Sequence, residues 1–206
     1  MQRRFRLLLA ALAIATSAAA PAPEEHRIER VAPIPLHPGA NTIARLAPDG
    51  RDGLIALGWR ENGNAYSHSV LLVMLRGRDG RFVVAPVERP DQTASETIAD
   101  EPHTGEDAVR SVRLARASVD GAPATLLLTA TREIDPAQGI AAPSLVVFDV
   151  FRLVHDADAV GGSPDAFRPL QRSRSSTRFC SAAVALRSRF GLAAAPGEQT
   201  QTQDGC

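Results

Sequence analysis

Short apolar runs separated by clusters of Gly, Asp and Asn dominate the chain from residue 41 to residue 154, a pattern that predicts strands joined by turns. Asn41 to Ala47 is the first strand expected after a proline-rich, extended lead-in from Pro21 to Pro38. Asp49-Gly50-Arg51-Asp52-Gly53 is a turn, and Leu54 to Arg60 is the next strand. Asn62-Gly63 between two apolar runs predicts a two-residue type I′ hairpin, because both residue types tolerate positive φ. The return strand is Tyr66 to Leu75, and its wholly apolar end, Val70 to Leu75, is expected to be buried on both faces. Arg78-Asp79-Gly80 then turns the chain into a strand over Phe82 to Val87.

Pro86 to Asp107 reads as one long irregular stretch with seven acids against Arg89 alone. Val109 to Val119 fits either helix or strand, and strand is preferred because Asp120-Gly121 opens a hairpin into a strand over Ala124 to Arg132; Asp135 to Pro143 is a loop. Leu145 to Val154 is the clearest strand of all, rich in β-branched and aromatic residues, with Asp149 and Arg152 on opposite faces by the period of two. A polar linker leads to a short helix over Cys180 to Phe190, with Ser181 as N-cap, Arg187 and Arg189 near its C-terminus and Gly191 as its stop. Seven or eight strands and one terminal helix predict a mainly β fold: an antiparallel β-sandwich-like domain with one short C-terminal helix.

The N-terminus changes the picture of where this domain works. Arg3, Arg4 and Arg6 precede an unbroken apolar run, Leu7 to Ala15, which ends in small residues up to Ala20. That is the layout of a secretory signal peptide over residues 1–20, with a single domain over 21–191 and a flexible tail over 192–206. The apolar run is too short for a bilayer core, which takes roughly 20 residues, so a periplasmic protein without a membrane span is expected. Basic and acidic residues balance at 23 each in the whole chain, and at 20 to 23 without the three N-terminal arginines, so nucleic acid is not an expected partner.

Every basic residue is arginine, and the absence of lysine excludes Ser-x-x-Lys acylases, Schiff-base enzymes and P-loop nucleotide binders. His26, His37, His68, His103 and His155 lie far apart with no metal-ligand spacing, and no Gly-x-Ser-x-Gly elbow is present. No metal, cofactor or catalytic residue is assigned. With one Trp, one Tyr and seven Phe, a carbohydrate platform of several aromatics is not expected. Cys180 and Cys206 are the only cysteines; an oxidising compartment permits a bridge between them, and the sequence leaves open whether it forms.

Two polar loops hold the candidate site residues. Arg60, Glu61, Asn62, Asn64 and Ser67, with His68 beside them, place a guanidinium, a carboxylate, two amides, a hydroxyl and an imidazole around one turn, a set able to orient a polar ligand. The alternative is a hairpin tip whose Asn and Gly serve the backbone alone. The second loop is Pro102-His103-Thr104-Gly105-Glu106-Asp107, offering His103 and Glu106 as ligand contacts, or Thr104 and Asp107 as turn caps.

At these residues a resemblance emerges. Gly58 to Ser67, Pro102 to Asp107 leading into Ser111-Val112-Arg113, and Thr131-Arg132-Glu133 before Val146 to Leu153 resemble the CarG-type carbapenem self-resistance proteins, over residues 40–191. Tyr66, where the family pattern has histidine, and the aromatic-poor strands depart from it. The resemblance implies a periplasmic protein that protects the cell from a carbapenem without lactamase machinery. The expected function is therefore non-catalytic binding or protection, with a β-lactam or a periplasmic protein as partner. The alternatives are a hydrolase pairing Glu61 or Glu106 with His68 or His103, and an interaction protein that docks on a cell-wall enzyme through the acidic loop.

Overall fold

The computed structural model describes residues 25–64, 67–89, 91, 93–101, 109–159 and 162–193. The proposed signal peptide, His103, Glu106 and Cys206 lie outside them. Among the described residues the chain is mainly β, with two sheets and one short helix. In chain order the strands are β1 (Ile28–Pro33), β2 (Gly39–Ile43), β3 (Gly53–Arg60), β4 (His68–Arg76), β5 (Phe82–Val84), β6 (Val87–Glu88), β7 (Ala94–Ser95), β8 (Thr97–Ala99), β9 (Arg110–Val119), β10 (Ala122–Arg132), β11 (Val146–His155) and β12 (Asp165–Arg174). The helix α1 spans Ala182–Phe190.

The larger sheet runs β1-β9-β10-β11-β12-β6-β7, and the smaller runs β2-β3-β4-β5 with β8 also on β4. One core lies between them. Ile55, Leu71, Val73, Leu75 and Ile98 of the smaller sheet meet Val112, Leu114, Leu127, Phe151, Leu153 and Phe167 of the larger. The opposite face of the larger sheet carries a second core, in which Ala117, Leu126, Leu128, Val146 and Val150 pack against Ala182, Ala185 and Leu186 of α1. Alanines at the contact let the helix lie close to the strands, and Phe190 meets Phe148 edge to face at 6.2 Å. Because the larger sheet is covered on both sides, β9 and β10 are buried along most of their length rather than in strict alternation.

Local chemistry accounts for several boundaries. Asp120 and Gly121 have φ of 52° and 84° and join the paired residues Val119 and Ala122, the two-residue hairpin that both residue types favour. Gly191 ends α1 in the left-handed region at φ 63°, with its N–H donating to Arg187 O. Ser181 occupies the N-cap position as expected, but its side chain makes no capping hydrogen bond.

Other expectations are corrected. Asn62-Gly63 is not a two-residue hairpin: Gly63 has φ 67°, but β3 and β4 close at Arg60 opposite His68, so residues 61–67 form a wider connection. Val70 to Leu75 alternates, with Leu71, Val73 and Leu75 in the core and Val70, Leu72 and Met74 half-buried on the outer face. Phe82 to Val87 is split, because β5 belongs to the smaller sheet and β6 to the larger, the chain crossing between sheets at Ala85-Pro86. The lead-in contains β1, paired to β9, and the acidic stretch contains β6, β7 and β8. The polar linker contains β12, ten residues paired along β11. No helix among the described residues is long and apolar enough to cross a membrane.

Candidate functional site

The 61–67 connection is held by its own carboxylate. Glu61 Oε1 accepts from Gly63 N–H at 2.9 Å and Ser67 Oγ–H at 2.7 Å, while Oε2 accepts from Trp59 Nε1 at 3.1 Å. Ser67 Oγ in turn accepts from Asn62 N–H at 2.9 Å, and Ser67 N–H donates to Asn64 O at 3.2 Å. The Ser67 hydroxyl above all, then the Gly63 N–H and the indole, hold the Glu61 carboxyl below its usual range. A carboxylate already accepting three hydrogen bonds and kept ionised is a brace for the turn rather than a poised base. Ser67, expected as a ligand contact, is buried inside this network. Arg60, Asn62 and Asn64 stay at the exposed rim.

Cross-strand register places Arg60 directly opposite His68, so both side chains stand on the outer face of the smaller sheet. Trp59 belongs to the other face, yet it is 60% exposed because it projects past the core-facing row of Ile55 and Leu57. The single tryptophan of the chain thus stands beside a polar, internally braced turn. Trp59 lies inside the Gly58 to Ser67 motif but is not among the contacts its sequence predicts.

β8 brings the second loop's approach to the same end of the sheet. Ser69 N–H donates to Asp100 Oδ1 at 2.8 Å, and Asp100 N–H donates to Ser69 O at 3.2 Å. Glu101 then bridges to Arg110, the first residue of β9. Asp100 and Glu101 therefore stand next to Ser69 and His68, where the 61–67 connection closes. His103 and Glu106 fall between those flanks, outside the described residues.

Burial pushes the Asp100 carboxyl above its ordinary value, against the opposing Ser69 N–H and the charges of Arg113 and His68. A raised folded-state pKa means that the native state binds a proton more readily than the unfolded chain. Stability then falls as pH rises through the ordinary carboxylate range and past the raised value. Asp100→Asn keeps an acceptor for Ser69 N–H and removes the charge. It is expected to melt higher than the wild type at neutral pH, with the gap closing in acid below the ordinary Asp range. Equal melting temperatures at pH 7 would reject the burial cost.

The third motif is structural. Arg132 is 3% exposed, and its guanidinium holds the 140–144 segment by bonds to Ser144 Oγ at 3.2 Å and to Ile140 O and Ala142 O at 2.7 Å each. Glu133 pairs with Arg174 of β12 at 2.6 Å. Cys180 is disulfide-bonded, and the chain's other cysteine, Cys206, lies outside the described residues. Among those residues no three His, Cys, Asp or Glu side chains gather into a group able to hold a metal ion.

The fold is that of a two-sheet β-sandwich with one helix laid on the outer face of its larger sheet. It is CarG-like: the chain is similar to the crystal structure of CarG, with a TM-score of 0.60 over 73% of this chain and 90% of that chain, at 18% sequence identity. No family model and no curated protein matches the sequence.

Proposed function

We propose that this chain is an exported, non-catalytic binding protein that contributes to protection against a carbapenem, with its ligand surface at the 59–68 end of the smaller sheet. The observation that carries the reading is the convergence at one sheet end of Trp59, Arg60, His68 and the approach to the 102–107 motif, around a turn that Glu61 and Ser67 lock in place. The CarG-like fold supports the direction. So does the commitment of Glu61 to three donors, which argues against its use as a hydrolytic base. Arg60 would hold the anionic group of the ligand, and Asn62 and Asn64 would orient it. Export rests on the signal-peptide layout of residues 1–20.

Titrating purified protein with a carbapenem, and following the drug's ultraviolet absorbance with time, tests the reading. Saturable binding without loss of the drug is the expected result; turnover would make the protein an enzyme. Arg60→Ala and Asn64→Ala are expected to lose binding while staying within about 0.5 kcal/mol of wild-type stability, as exposed substitutions usually do. Gly63→Val should destabilise, because a β-branched residue does not fit φ 67°. If both alanine variants bind as the wild type does, the ligand surface is elsewhere.

A further inference from the structure

At the opposite end of β3 the 44–50 loop lies over β9, β10 and β11 and closes a cleft of about 410 Å³. Eight residues of extended chain separate it from the 61–67 turn, roughly 25 Å at the rise of a strand. Arg45, Arg116 and Arg152 line it, and no Asp or Glu is among its lining residues. Acids and bases balance in this chain at 23 each, so the concentration of cations here is local rather than a share of a general excess.

The nearby acids have partners of their own. Asp49 pairs with Arg51 at 2.6 Å, Asp52 accepts the backbone N–H of Arg45 at 2.8 Å, and Asp120 is held by His26 and the Arg27 N–H and stands close enough to Arg152 to feel its charge. Arg116, by contrast, is held by neutral oxygens. Its Nη1 donates to Thr125 Oγ1 at 2.8 Å and its Nη2 to Ala44 O at 2.8 Å. Burial, and secondarily the like charge of Arg45, hold its guanidinium below the usual arginine range. Those bonds fix the planar fork and leave Nε–H free of any described partner, so little further ordering is needed to bind an anion. Arg45 itself sits at φ 50°, in the left-handed region that an arginine seldom occupies.

We propose that this cleft binds a small organic molecule bearing a carboxylate or phosphate group, with Arg116 as the fixed anchor and Arg45 closing on the anion from the 44–50 loop. Guanidinium groups grip both oxyanions through paired N–H donors, and the volume suits a small metabolite. The site is independent of the carbapenem surface proposed above, and either assignment stands or falls without the other.

Calorimetric titration of the purified protein with citrate and with inorganic phosphate, at fixed ionic strength, tests it. Saturable binding of at least one probe is expected, and the tighter probe identifies the group recognised. Arg45→Gln and Arg45→Glu are the working variants, since Arg116 also secures the 44–46 backbone. Each is expected to weaken binding by about tenfold or more, the usual worth of a charge-assisted hydrogen bond, at an unchanged melting temperature. Arg189→Gln, at an exposed position of α1 outside the cleft, should bind both probes like the wild type. Unaltered affinity in both working variants, or no binding of either probe at millimolar concentration, overturns the assignment.

Discussion

Replacing Phe167 by alanine is expected to destabilise the protein by about 4 kcal/mol, the usual cost of deleting a fully buried phenylalanine. Its side chain is completely buried in the core between the two sheets. Its backbone N–H donates to Pro86 O at 2.8 Å, and β12 pairs with β6 through Phe167 and Val87. Those main-chain links persist in the variant, so the loss falls on packing: a cavity opens where the two sheets meet. A domain of this size loses roughly 2–4 °C of melting temperature per kcal/mol, which puts the expected drop near 8–16 °C. Phe167→Leu fills most of the space and should lose less than half as much. A melting temperature for Phe167→Ala within a few degrees of wild type would mean that the core closes around the gap, or that β12 contributes little to holding the sheets together.

Asp165, two residues earlier, is expected to give the second large effect for an electrostatic reason. Its carboxylate is 4% exposed and receives Arg51 Nη2 at 2.6 Å and His155 Nδ1 at 2.8 Å. Arg51 belongs to the loop between β2 and β3, whereas His155 and Asp165 lie on β11 and β12, so the cluster ties the smaller sheet to the larger. Arg51 Nη2 also lies 3.2 Å from His155 Nδ1. The imidazole cannot donate to Asp165 and accept from Arg51 through one nitrogen, so that approach is a contact between two groups sharing one carboxylate. The hydrogen bond to Asp165, ahead of the one to Asp49, raises the Arg51 guanidinium above its ordinary range. Asp165→Asn leaves Arg51 and His155 without the buried charge they share. Breaking a buried pair costs about 3–5 kcal/mol; Arg51 is 22% exposed and partly rehydrates, which places the expected loss near the lower figure. Asp49→Asn removes only an exposed partner and should cost less than 1 kcal/mol. Chemical denaturation of the two variants separates the outcomes, and equal losses would mean that Asp165 is no more important to the clasp than Asp49.

Both residues lie on β12, which sequence pattern alone assigns to a polar linker. The reason is visible in its charges. Arg168, Arg172 and Arg174 interrupt any apolar alternation, yet each meets an acid supplied by another part of the chain: Glu88 and Asp156 for Arg168, Asp149 for Arg172 and Glu133 for Arg174. A strand held by cross-strand ion pairs carries no hydrophobic period to read. The candidate site was half legible. Arg60, Glu61, Asn62, Asn64 and Ser67 stand out as a polar cluster beside a Gly, but nothing local shows that Glu61 and Ser67 face inward to brace the turn while Trp59 faces out. The arginine cleft was not legible at all, since Arg45 and Arg116 come from separate parts of the chain.

The sequence by itself determined the mainly β class, the strands β3, β4, β10 and β11, the Asp120-Gly121 hairpin and the Gly191 helix stop. Each rests on short-range causes: the two-residue period of a pleated strand, the positive φ that Gly and Asp tolerate, and the orphan carbonyls at a helix end. Only the tertiary structure decided which strands join which sheet, why Asn62-Gly63 opens into a wider turn while Asp120-Gly121 closes tightly, and where charge is satisfied or left to accumulate. Pairing partners and compensating charges arrive from distant positions, and their free energy appears only when those positions meet. That is why the chain crosses between sheets at Ala85-Pro86 without a local signal, and why a linker-like segment became the strand on which the two largest expected losses fall.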